Sequence, residues 1–298
     1  MKRFAPKEQS FRIDPRVSNT ITGKRGTRIF IGERAFDLDY DSLSENDAVE
    51  IRLVEAIDAF DFAGTGLEMD YTDEFGQRRR MESAGMFRLT ARYDVDDLEL
   101  DGDSTIDVQF PDIAPGEKYR TYRFDSGKWK YDDLNLKTES ENRSGKVRAQ
   151  NPTPGRTVGV RRIQIDELTW WQFAYPRVET ACLKGEIQET GEVEFHVLGR
   201  TPLSYHFSHG RQIVAGEGLL RSEITALAIS VDGRTGIKRL ASGELWGNFR
   251  EPESPHNHCE QLGVLELSYP PEDALKDRES FRKFLGIPED SYRVNYEN

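Results

Sequence analysis

Cysteine is scarce. The 298 residues hold two, Cys182 and Cys259. Two cannot build a disulfide framework, although a single bridge between them can form. Long apolar runs are absent too: no stretch approaches the roughly 18 residues of a membrane helix, so membrane insertion by a helix is excluded. The opening residues, Met1 to Pro15, are basic at the start but lack an apolar core, so no secretory signal is visible. The chain either stays inside the cell or carries its export signal elsewhere. Positive charge is the minority sign, with 41 Lys and Arg against 53 Asp and Glu, a net charge of −12. That balance argues against a general nucleic-acid or membrane-surface binder, which needs a basic field. Walker loops, dinucleotide fingerprints and G-x-S-x-G elbows are missing. The acids are too numerous to single out a glycosidase pair.

Long helical periodicity is also nearly absent, and short alternating runs take its place. Strands are expected at 27–31, 48–54, 86–91, 105–110, 158–165, 193–198, 224–231 and 263–268, with Pro111 ending the fourth by removing a ladder donor. Residues 53–62 read either as a helix or as a strand end and a loop. A clearer helix is opened by Pro271, Glu272 and Asp273, runs over 277–285, and is stopped by Gly286 and Pro288. Its Phe281, Phe284 and Leu285 form an apolar stripe that docks on a sandwich. At about 150 residues per domain the length predicts two domains. The punctuation divides the chain into an N-terminal arm (1–10), a first β-sandwich (11–136), a polar linker or loop (137–157), a second β-sandwich (158–250) and a Pro-rich tail with a short helix (251–298). The expected class is mostly β, with two antiparallel sandwich modules of immunoglobulin or transthyretin type and a short C-terminal helix.

Four stretches carry a resemblance. They are Phe11-Arg-Ile-Asp-Pro15 with the run 21–29 and Ala35-Phe36; Glu82-Ser-Ala-Gly-Met-Phe-Arg-Leu-Thr-Ala91 with 98–100 and 106–111; Trp170-Trp-Gln-Phe-Ala-Tyr-Pro176 with Cys182-Leu-Lys-Gly-Glu-Ile187; and the loosely patterned 193–231. In this order they resemble large bacterial surface proteins. Those carry a sandwich similar to the domain shared by ankyrins and netrin receptors, followed by a carboxypeptidase-regulatory-like, transthyretin-like module. The resemblance implies a non-catalytic role in surface structure or adhesion at the cell surface, and it transfers no catalytic residue. The missing signal and a charged loop at 37–47 depart from the pattern, and the first leaves a cytoplasmic location open.

Several side-chain groups merit separate readings. Asp37, Asp39 and Asp41 open an oxygen-rich loop of the kind that supplies calcium ligands. It breaks the EF-hand pattern at Ser42 and Ala48, and a solvated edge explains it equally well. A second acidic run, 94–103, has the same two readings. His206, His209, His256 and His258 suit zinc by ligand type and spacing, with solvated loop histidines as the blander reading. His206-Phe207-Ser208 resembles the sequence at which certain death-domain sensors and a nucleoporin cut themselves. There Ser208 would attack the preceding carbonyl with His206 as base, the remote alternative here. Trp170, Trp171, Phe173 and Tyr175 read as core aromatics or, less simply, as a ligand groove. Lys128-Trp129-Lys130-Tyr131 reads as cross-strand packing rather than a sugar or anion site, and Gln77-Arg-Arg-Arg80 as a solvated hairpin. The functional expectation is a structural or adhesive protein with protein partners or self-assembly through edge strands or the N-terminal arm. It has no certain cofactor, and the alternative is a carbohydrate- or calcium-binding module.

Overall fold

The computed structural model describes residues 1–111, 118–132, 146–151, 157–158, 160–177, 180–188, 192–199, 203–208, 211–218, 224–240, 259–287 and 291–295. The chain is mostly β. Its strands are β1 (Gln9–Ile13), β2 (Asn19–Thr22), β3 (Arg28–Ile31), β4 (Val49–Ala56), β5 (Asp70–Thr72), β6 (Arg78–Tyr93), β7 (Asp96–Leu98), β8 (Ile106–Pro111), β9 (Arg120–Asp125), β10 (Lys128–Tyr131) and β11 (Lys146–Asn151). They continue as β12 (Thr157–Val158), β13 (Val160–Ile165), β14 (Trp170–Arg177), β15 (Ala181–Gln188), β16 (Glu192–Leu198), β17 (Leu203–Ser208), β18 (Arg211–Gly218), β19 (Ile224–Ser230), β20 (Thr235–Leu240), β21 (Glu260–Val264) and β22 (Ser291–Asn295). Among the described residues there are also two short helices, α1 (Ala59–Thr65) and α2 (Arg278–Leu285), and two 3-10 turns. Neighbouring strands pair mostly antiparallel, whereas β15 and β21 pair in parallel.

The contacts divide the chain into two compact units that interleave in sequence. One comprises Met1–Ala5, Asp58–Ser83 and Tyr175–Glu289, the other Pro6–Ile57, Ala84–Ala174 and Asp290–Asn298. The division expected from punctuation follows the chain, whereas these units do not. Much of the expected linker, 137–157, lies outside the described residues, as does 241–250.

The second unit holds most of a sheet ordered β1-β4-β6-β14-β9-β10 and a four-stranded sheet ordered β13-β8-β3-β2. Alternation in β8 turns Val108 and Phe110 inward, and Phe110 meets Phe87 at 5.8 Å and Phe173 at 5.6 Å between ring centroids. A buried carboxylate fixes the turn between β2 and β3. Glu55 accepts hydrogen bonds from the Thr27 and Arg25 backbone N–H groups, each at 2.9 Å, and from Gln9 at 2.7 Å. A Cβ on Gly23 would sit 2.5 Å from the Glu55 carboxylate, so only glycine allows this approach.

The first unit packs a three-stranded sheet, β18-β15-β21, against a four-stranded one, β17-β16-β19-β20. Leu183, Ile187 and Leu262 meet Val193, Phe195, Val197, Ala226 and Ala228 in one core. The opposite face of β16 and β19 is mixed, with Glu194 and His196 of β16 beside apolar positions. Leu198 and Leu227 pack there with Met1, Phe4, Phe60, Phe281 and Leu285 from the N-terminal turn, α1 and α2. Each fully buried aromatic contributes about 1.5–3 kcal/mol of transfer free energy. Both helices are set by their ends. Asp58 caps α1 by accepting from the Asp61 N–H at 2.9 Å, and Asp277 caps α2 by accepting from the Ser280 N–H at 2.8 Å. Gly286, at φ 67°, closes α2 in the left-handed conformation that glycine adopts freely. Because the helices pack against the sheet, charges on them are buried as well. Asp61 pairs with Arg278, and Asp58 pairs with Arg282 at 2.8 Å. Both guanidiniums stack over the Phe60 ring, at 4.8 and 5.3 Å.

The C-terminal helix and most expected strands appear within a few residues of their expected positions. The strand expected at 263–268 is a correction. The ladder stops at Val264, after a register shift beside Gly263, which takes φ 68°, and Ser268 makes only an isolated bridge to Thr235. Residues 53–62 resolve into the end of β4 and the start of α1.

Two outcomes are expected in chemical denaturation of the full chain. Asp61→Ala leaves a buried guanidinium short of its carboxylate and costs about 3–5 kcal/mol; a loss below about 1 kcal/mol would contradict the ion lock. Cys259 is disulfide-bonded, and Cys182 is the only other cysteine of the chain. Reduction therefore lowers stability by about 2–4 kcal/mol, through the unfolded-chain freedom that the bridge removes.

Candidate interaction surfaces

The β9–β10 hairpin is built for rigidity. Its two-residue turn, Ser126 at φ 50° and Gly127 at φ 80°, has the double positive φ of a tight hairpin. The register then sets Trp129 opposite Phe124 and Tyr131 opposite Tyr122. The rings of these pairs lie 5.1 and 5.5 Å apart. Trp129 is buried, while Lys128, Lys130 and Tyr131 are exposed. Lys130 pairs with Asp125 and holds that carboxyl below its usual range. Among the described residues β10 is the end strand of its sheet. The Asp132 N–H donates to the Thr121 carbonyl at 2.9 Å. One residue earlier, Tyr131 therefore occupies a non-hydrogen-bonded pair position, with its own N–H and carbonyl directed away from β9.

In the first unit, β16 turns Glu194 and His196 toward the helical cover. Glu194 accepts from the Met1 ammonium at 2.8 Å and contacts His196 Nε2 at 3.0 Å. His196 foremost, then the ammonium, hold the Glu194 carboxyl far below the usual carboxylate range, against the opposing effect of burial. Beside it opens a cleft of about 330 Å3 bordered by Met1, Phe4, Val193, Glu194, Ile229 and Val231. At the neighbouring turn Asp232 is pushed down to about 2, chiefly by the Ser230 hydroxyl, with Arg234 and Tyr269 adding hydrogen bonds. These groups brace a sheet end.

The structure places the expected site residues as follows. Asp37, Asp39 and Asp41 are exposed on a loop held by the Tyr40 hydroxyl, which donates to the Phe36 carbonyl at 3.0 Å and accepts from its N–H at 3.1 Å. Among the described residues no group of three or more His, Cys, Asp or Glu side chains gathers as metal ligands. In the second acidic run, Asp97 pairs with Arg92 at 3.0 Å. The backbone of His206, Phe207 and Ser208 lies in β17, paired with Glu194, Val193 and Glu192. The side chains of His206 and Ser208, and all of His209, His256 and His258, lie outside the described residues. Trp171 and Phe173 are fully buried, and the Trp171 Nε1–H donates to the Glu167 carbonyl at 3.0 Å. Trp170 and Tyr175 are half-buried, with Arg88 and Arg177 over their rings. Arg78 and Arg79 flank the β5–β6 hairpin and pair with Asp70 and Asp73, while Arg80 is buried.

Compared with known proteins, the chain matches no family model, no curated protein and no solved structure. The resemblance to surface proteins is carried by its motif residues alone.

Glu194 generates a pH prediction. Its folded pKa lies below the ordinary 4.5, so its contribution is present above that pH and fades as acid protonates it in the folded state. Glu194→Gln, at a partly solvated position, destabilises by about 1 kcal/mol at neutral pH. In denaturant titrations the gap to the parent protein narrows as the pH falls below 4.5. A gap of constant size would contradict the assignment.

Proposed function

We propose that the protein is non-catalytic: a structural or adhesive β-sandwich chain that works through surface and edge-strand contacts, as a subunit of a cell-surface or injection-type assembly. The observation that carries this reading is the outward N–H and carbonyl of Tyr131 on a stiff end strand. Such an edge is a template for a partner strand, which adds main-chain hydrogen bonds there. Lys128 and Lys130 discourage indiscriminate pairing and favour a strand that presents carboxylates. The disulfide at Cys259 supports an oxidising compartment, outside the cytosol. The commitment of the Asp58–Arg282, Asp61–Arg278 and Glu194–His196 groups to bracing supports a role in presentation rather than turnover.

Tyr131→Pro tests the reading. Proline removes the outward donor but leaves the β9 ladder, because that N–H takes no part in it. Sedimentation of the full chain across a wide concentration range is expected to show association that the variant loses, while Tyr131→Ala, which removes the same ring contact with Tyr122 but keeps the outward N–H, still associates. A parent protein that stays monomeric throughout and brings no partner through purification would contradict it.

A further inference from the structure

The β5–β6 hairpin of the first unit ends in a turn that holds one aromatic ring out to solvent. Thr72 stands opposite Arg78 in the ladder. The Asp73 N–H then donates to the Gln77 carbonyl at 3.0 Å, which leaves Glu74, Phe75 and Gly76 as a three-residue loop. The Gly76 N–H donates to the Asp73 carbonyl at 2.9 Å, and Gly76 closes the loop at φ 76°, the left-handed position such loops require. The Asp73 carboxylate ties the loop from within. It accepts from the Phe75 N–H at 3.0 Å, from the Gln77 N–H at 2.8 Å and from Arg79 Nε at 3.0 Å. Phe75 is 78% exposed at this fixed apex. Glu74 beside it is exposed, and its carboxylate has no hydrogen bond or ion pair among the described residues. Arg78 and Arg79 are committed to Asp70 and Asp73, so the open charge of the apex is that of Glu74.

Turn positions usually go to small polar residues, which water solvates well. A large ring there adds nothing to the core and leaves apolar surface wet. It suits binding for a second reason. A loop that is already fixed loses little backbone freedom when it docks. Aromatic side chains are the common anchors of protein interfaces, where each fills a socket in the partner. The ring of Phe75 calls for an apolar socket, and the open carboxylate of Glu74 calls for a Lys or Arg at its rim. A bilayer fits less well. Insertion of Phe75 would draw the Glu74 carboxylate toward hydrocarbon, and an anionic lipid surface repels a chain of net charge −12. The same net charge sets two copies of the chain against each other.

We propose that Phe75 is the anchor by which this chain docks a different protein, one that offers an apolar socket rimmed by Lys or Arg. The contact lies on the β5–β6 hairpin and does not need the pairing of β10, so the two readings fail separately. The test replaces Phe75 with photoreactive benzoylphenylalanine in the full chain, in cells that make it, and maps the irradiated links by mass spectrometry. A link is expected to one partner, among apolar residues with a Lys or Arg beside them. With that partner purified, titration calorimetry is expected to show binding about thirtyfold weaker for Phe75→Ala. Glu74→Lys is expected to bind more weakly too, most of all at low salt. Melting temperature is expected to hold in both variants, because both side chains stand in solvent. Tyr131→Pro is expected to keep the link at position 75. No link above that of the same probe at Val95, which is 69% exposed, would overturn the proposal. So would a link only within the chain or to a second copy of it, or partner binding that survives Phe75→Ala. Flotation with phosphatidylcholine–phosphatidylglycerol vesicles that Phe75→Ala abolishes would overturn it in favour of a lipid surface.

Discussion

A sheet that carries large apolar side chains on both faces must be covered on both, and in the first unit the second face holds Leu198 and Leu227 beside Glu194 and His196. β16 and β19 present Val193, Phe195, Val197, Ala226 and Ala228 on one side, and Leu198 and Leu227 on the other. The partner sheet covers the first side. For the second, the chain collects Phe4, Phe60 and Phe281 from segments separated by most of its length, which is why the unit draws on Met1–Ala5, Asp58–Ser83 and Tyr175–Glu289. Helices that pack against a sheet bury charges they carry. Asp58 and Asp61 must then find Arg282 and Arg278, or the cover would strand ionised groups away from water. The ion lock is thus a consequence of the double-sided sheet, and its geometry fixes how α1 meets α2.

The second unit meets a simpler need, since its facing sheets close on Phe87, Phe110 and Phe173. Its buried charge, Glu55, satisfies the backbone of one turn. In both units much of the buried polar chemistry holds backbone and layers in place.

Legibility in the sequence followed the range of the interaction. Alternation in β4, β8 and β16 and the capping residues of α2 are local signals, and they placed those elements well. The Lys128–Tyr131 motif was readable as cross-strand packing, which the Trp129–Phe124 and Tyr131–Tyr122 contacts bear out. What the sequence hid depends on distant partners. Glu55 looks like a solvent residue of an alternating strand until the 23–27 turn folds over it. Asp58 and Asp61 blur the period of α1 because their guanidinium partners lie more than 200 positions away. The Tyr40 hydroxyl that ties the 37–47 loop had one local signal, its four-residue spacing from Phe36.

The central claim is that this molecule acts by presenting an edge rather than by converting a substrate. Cross-linking of the intact protein in cells that make it, with an amine-reactive reagent and mass-spectrometric mapping, tests that claim most directly. The account predicts links from Lys128 and Lys130 to a second polypeptide. Links from these lysines only to residues of their own chain, with a partner attached elsewhere or none at all, would contradict it.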